Sequence, residues 1–141
     1  GGDCASDTGT IVKLLEAALS TLGSRTAAVR NVMCQLQGEN SIVLLFAEGE
    51  IIGARDGPPL HLARSDDKYL LISDVAAISD WVNDVAYLDI GQIVRISTSG
   101  IKIDEDRRTI NEADIVWEPV DHCSTTPHFT RPYALYAQRS T

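Results

Sequence analysis

The chain has 141 residues, 44% of them hydrophobic and 23% charged. That is the make-up of one globular domain with a real core. A net charge of −8, with twelve basic residues scattered along the chain, argues against a nucleic-acid phosphate surface or an anionic membrane as partner. No apolar run is long enough to span a bilayer, and the start, GGDCASD, has neither the basic nor the apolar part of a signal peptide.

The first expected element is a helix entered at Ser6–Asp7–Thr8. Ile11, Leu14, Leu15, Ala18, Leu19 and Leu22 recur at the spacing of one helical face. Gly23 ends it, and Ser24 can cap a second helix with an inner face of Val29, Val32, Met33 and Leu36. The stretch SIVLLFAEGEIIGARD follows, residues 41–56. Its near-continuous apolar, β-branched run reads as two buried strands around a turn at Ala47–Glu50, the first strand covered on both faces. Gly57, Pro58 and Pro59 stiffen the loop after it, and an Arg55–Asp56 ion pair is a candidate lock for that loop.

Leu60–Ala63 and Tyr69–Ile72 read as a second strand pair around Arg64–Lys68. Ser73–Asp74 caps a short helix, Val75–Val82. Ala86–Ile90 and Gln92–Ser97 are expected as strands joined at Gly91. A strand Ile101–Asp104, a charged turn Asp104–Arg108 and a last strand near Thr109–Trp117 complete the series. Residues 1–118 are thus one domain and residues 119–141 an irregular tail or linker.

Three groups of residues have the chemistry of a site, and each has a plainer reading. Asp7 at a helix entry is either an ordinary cap or a carboxylate placed to bind a ligand's ammonium group. His61, His122, His128 and Cys123 lack the paired spacing a metal requires. Cys4 has no histidine near it in sequence, and the odd count of Cys4, Cys34 and Cys123 fits reduced cytoplasmic thiols better than disulfides. No metal, no cofactor and no catalytic residue is assigned.

The runs SDTGTIVKLL, LQGENSIVLLFAEGEIIGARDGPPLHLA, YLLISDVAAI and VAYLDIGQIVRIS resemble the later half of the class II glutamine amidotransferase domain, of the glucosamine-6-phosphate synthase type. The family pattern has S-D-[ST]-E opening a helix, then "GENS", "A-R-D/S-G-x-P-L", "xxASDxxAL" and a "YLExGEIxxI" hairpin. The matches stand in that order over residues 5–100. The resemblance implies an α+β fold, part of a four-layer αββα N-terminal-nucleophile hydrolase sandwich with two helices followed by mainly antiparallel strands.

The activity so implied is that of a glutaminase, a transferase component that hydrolyses the glutamine side-chain amide and supplies ammonia to a synthase. Asp7 falls on the aspartate that holds the glutamine ammonium. Gly9 stands where the family has glutamate. The nucleophilic cysteine, the oxyanion-hole Asn-Gly pair and the carboxylate-binding arginine have no counterpart among these residues. Cys4 follows Gly1–Asp3 and precedes Ala5, whereas the family's nucleophile is N-terminal and precedes glycine.

Two readings stay open. The chain is one part of a glutaminase, inactive alone and completed by an N-terminal half, another subunit or self-association. Alternatively it is a non-catalytic binding or assembly module on the same scaffold.

Overall fold

A computed structural model describes residues 7–120. The described residues divide into two compact units, one running to Asn40 and the other from Ser41. The first holds two helices, α1 (Asp7–Leu22) and α2 (Arg25–Gln35). Leu15 and Ala18 of α1 are buried, as are Ala28, Val29, Val32 and Met33 of α2. The expected apolar stripe therefore faces inward, except that Leu22 at its end is exposed. Ser24 caps α2, its side chain accepting from the Ala27 N–H at 3.3 Å. Gly23 sits between the helices at φ +72°, a left-handed conformation that glycine adopts without a Cβ clash.

The second unit is built from antiparallel strands. They are β1 (Asn40–Leu45), β2 (Ile51–Asp56), β3 (His61–Arg64), β4 (Tyr69–Ile72), β5 (Asp84–Tyr87), β6 (Ile93–Ser97), β7 (Gly100–Asp104), β8 (Thr109–Asn111) and β9 (Glu118–Pro119). One sheet has the order β1-β2-β6-β7-β8 and the other β4-β3-β5-β9. Helices followed by antiparallel sheets make the fold α+β, as expected.

The sheets bury a shared core of Leu60, Leu62, Leu71, Ala86, Leu88, Val94, Ile101, Ile103 and Ile115. On the four-stranded sheet the neighbours of these residues, Ala63, Ile72 and Val85, point the other way. They pack with Ile78 and Val82 in a second cluster. This is the two-residue alternation of a strand buried on both faces. Gly53 lies where the sheets press together: a Cβ there would stand 2.8 Å from Leu71 Cδ1.

Four expectations are corrected. The strand expected to be covered on both faces, β1, is the edge of its sheet, half-buried throughout and exposed at Leu45. An apolar run does not distinguish an inner strand from an edge strand. The strands around Gly91 do not form a hairpin: β5 pairs with β3 and β9, and β6 with β2 and β7. Their link crosses between sheets. The helix after Asp74 is a single 3₁₀ turn, Val75–Ile78, with the Asp74 carboxylate accepting from the Ala76 N–H at 3.1 Å. The last expected strand breaks after Asn111 into a 3₁₀ turn, Glu112–Asp114, before β9 joins the other sheet.

Candidate functional site

Asp7 is the first residue of α1. An acidic residue in a first helical turn meets the partial positive charge of the unpaired N–H groups there. The structure describes its backbone alone. Ser6, Cys4, His122, Cys123 and His128 lie outside the described residues. Cys34 is exposed on α2. Among the described residues no group of His, Cys, Asp and Glu gathers as a metal site.

The polar site that the structure does build is the sheet-to-sheet crossing at Leu88–Gln92. It takes its shape from Arg55 and His61, the two ends of the segment that begins with the ARDGPPL motif. Arg55 meets the crossing with both backbone and side chain. Its N–H donates to the Gln92 carbonyl at 3.1 Å, and its carbonyl accepts from the Gly91 N–H at 2.7 Å. The guanidinium donates to the carbonyls of Leu88 and Gly57. These bonds replace the expected Arg55–Asp56 ion pair: carbonyls left bare by the crossing need donors, and a rigid fork supplies several.

His61 closes the other side. Its Nδ1 accepts from the Leu88 N–H at 3.2 Å, which places the ring proton on Nε2. Burial, then the nearby Arg55 charge, pushes its pKa down to about 4. The imidazole is therefore neutral at pH 7, an acceptor and not a cation. Its ring meets that of Tyr87 edge-on, with centroids 4.8 Å apart.

Gln92, buried, extends the network. Its Oε1 accepts from the Asp89 N–H at 2.7 Å, and its Nε2 donates to Glu105 Oε1 at 2.6 Å. Arg108 donates to the other Glu105 oxygen at 2.5 Å. Hydrogen bonds from Arg108 and then Gln92 hold the Glu105 carboxyl below its usual range. The chain of contacts ties β2, the crossing and the β7–β8 turn into one polar joint. Sequence reading does not find Gln92, because nothing local marks a glutamine that links the nearby Asp89 N–H to Glu105, thirteen residues away. What the joint does chemically is to satisfy buried polar groups and fix the angle of the crossing.

A scan against protein-family models finds no match. Curated relatives are found. Over 101 residues the chain is 33% identical to a glutamine–fructose-6-phosphate aminotransferase (isomerizing) of Bartonella quintana, a match covering 70% of this chain and 16% of that protein. The corresponding protein of Bradyrhizobium diazoefficiens is 27% identical over 124 residues, covering 86% of this chain and 20% of the relative. The chain thus spans about a sixth to a fifth of the length of these relatives.

Among solved structures, the glutamine phosphoribosylpyrophosphate amidotransferase of B. subtilis matches with a TM-score of 0.62 at 24% identity. That match covers 72% of this chain and 22% of the other. An allosteric regulatory enzyme of purine biosynthesis matches at 0.61 and 23%. These likenesses show the fold, an α+β N-terminal-nucleophile hydrolase sandwich. With the ordered motifs and the curated relatives, the fold places this chain in the class II glutamine amidotransferases, as a part of their domain.

Proposed function

We propose that this chain is the glutamine-gripping part of a glutaminase unit whose attacking thiol comes from polypeptide outside these residues. The observation that carries the reading is the 33% identity sustained over 101 residues, with the family's motifs in order. In this reading Asp7, opening α1, accepts a charge-assisted hydrogen bond from the α-ammonium group of glutamine. Such a bond selects a free amino acid over an internal peptide residue. Amide hydrolysis in this family uses a cysteine whose own free amine is the base. The amine of Cys4 is tied up in a peptide bond to Asp3, so the chain by itself releases no ammonia. Residues 1–118 form the amidotransferase part, which β9 carries on to Pro119 beside Asp84, and the residues beyond are a tail or linker.

The acidic balance supports a partner that is neither nucleic acid nor membrane. Among the described residues no helix is long and apolar enough to cross a bilayer. Three cysteines without disulfide spacing support a reducing, cytoplasmic setting.

The test mixes the chain with an N-terminal amidotransferase segment that carries the cysteine and measures ammonia released from glutamine. Release that needs both polypeptides, with KM raised about tenfold or more by Asp7→Ala, is the expected result for a bond to a charged group. Equal KM in the variant overturns the role of Asp7. Glutamine binding without turnover in the mixture would instead mark a non-catalytic module.

A further inference from the structure

Tyr69, Arg64 and Asp84 stand directly opposite one another on three neighbouring strands, β4, β3 and β5. Arg64 ties the row to β5, its Nε 2.9 Å from Asp84 Oδ2. Trp117 lies against this row. Its ring is beside that of Tyr69, and the Arg64 Cζ stands 4.2 Å from its centre. Trp117 belongs to none of the three strands; it comes from the segment between Ile115 and Val120, which ends the described chain.

Little else holds that segment. Ile115, just before it, is buried in the core shared by the sheets. Beyond Ile115, Val116 is 78% exposed, and Glu118 and Pro119 are exposed as well. The β9 strand has two residues, and Pro119 has no N–H to give to a ladder. The Val120 N–H donates to the Asn83 carbonyl at 3.0 Å, and its side chain rests at the margin of the cluster around Ala63, Ile72 and Val85. Few buried apolar contacts and hydrogen bonds near solvent are the marks of a part that opens by itself.

We propose that residues 116–120 form a strap that detaches as one unit, hinged at Ile115 and fastened by Arg64 on Trp117, while both sheets stay folded. Asp84 is a positioning residue for the fastening, because its carboxylate holds the guanidinium in place. Opening leaves β5 as the edge of its sheet. Residues 121–141 follow the strap directly in sequence, so a load on them reaches the strap before it reaches β5. The strap needs neither glutamine nor Asp7, and it holds or fails apart from the glutaminase reading.

Native-state hydrogen exchange of the full chain in low urea tests it. The Val120 amide is expected to exchange through an opening that costs less than global unfolding and changes little with urea. Amides of the central strands β3 and β6 should instead follow the steep urea dependence of global unfolding. Arg64→Met removes the fastening and should speed Val120 exchange about two- to fivefold, the range for a partly exposed cation–π contact, at an unchanged urea slope. Trp117→Leu removes the same contact from the other side and serves should the arginine variant fail to fold. A Val120 amide that exchanges only together with those of β3 and β6 overturns the strap. A rate that neither variant changes overturns Arg64 as its fastening.

Discussion

The Leu88 N–H donates to Nδ1 of His61 at 3.2 Å, across twenty-seven residues of sequence, at the point where the chain passes from one sheet to the other. A histidine used as an acceptor must stay neutral, and burial together with Arg55 keeps it so, with a pKa of about 4 against an ordinary 6.5. The unfolded chain therefore binds more protons than the folded one between those values. Stability from this group is complete above about pH 6.5 and is lost as the pH falls toward 4. The whole effect is at most about 3.5 kcal/mol, since each pKa unit is worth about 1.4 kcal/mol. Urea unfolding followed from pH 7 to pH 4.5 checks it. His61→Asn, which keeps an acceptor but does not titrate in this range, should flatten the slope. An equal slope in the variant would assign the pH dependence elsewhere.

Arg55 acts on the same crossing from the other side. Arg55→Ala leaves the Leu88 carbonyl without its donor and should cost about 1–3 kcal/mol, the penalty for stranding a buried polar group. It also removes a positive charge beside His61. The His61 pKa, followed by NMR titration of the ring, should therefore rise toward its ordinary value while staying below it, because burial remains. A His61 pKa that does not move would mean that Arg55 exerts no field on the ring.

Gly53 marks the tightest approach of the two sheets. A methyl group there would lie 2.8 Å from Leu71 Cδ1 and 3.2 Å from both Leu60 Cδ2 and Val94 Cγ1. Gly53→Ala should destabilise the domain by about 1–3 kcal/mol through overpacking. The nearest atom is the free end of a leucine, so Leu71→Ala should absorb much of that strain. The double variant is expected to be more stable than the sum of the single effects predicts, a coupling that a double-mutant cycle in urea measures.

Arg64 ties the late strand β9 into its sheet indirectly. Its Cζ stands 4.2 Å from the centroid of the Trp117 ring, and its Nε is 2.9 Å from Asp84 Oδ2. Trp117 in turn lies beside Tyr69, with ring centroids 6.2 Å apart. Since the arginine is partly exposed, the cation–π contact is expected to contribute about 0.5–1 kcal/mol. A cycle of Arg64→Met and Trp117→Leu should return a coupling of that size, and one near zero would show that the stack is incidental.

Local chemistry was legible in the residues themselves. The stripe from Ile11 to Leu19, the Ser24 and Asp74 caps, the Gly49 turn and the Leu60–Ile72 pair all follow from side-chain spacing or backbone preference, and the structure has them. Family membership was also legible, because the amidotransferase motifs keep their order along the chain. The role of Asp7 rests on that resemblance alone.

What only the tertiary structure decided is sheet membership. Nothing in VAYLDIGQIVRIS says that Tyr87 and Ile93 belong to different sheets, or that SIVLL lies at an edge. A strand's pattern records which residues are buried, whereas its neighbours are chosen by hydrogen bonds to segments far away in sequence. Arg55, His61 and Gln92 gain their partners only when β2, β3 and the crossing meet. Their spacing in the chain therefore carries no sign of the joint they form.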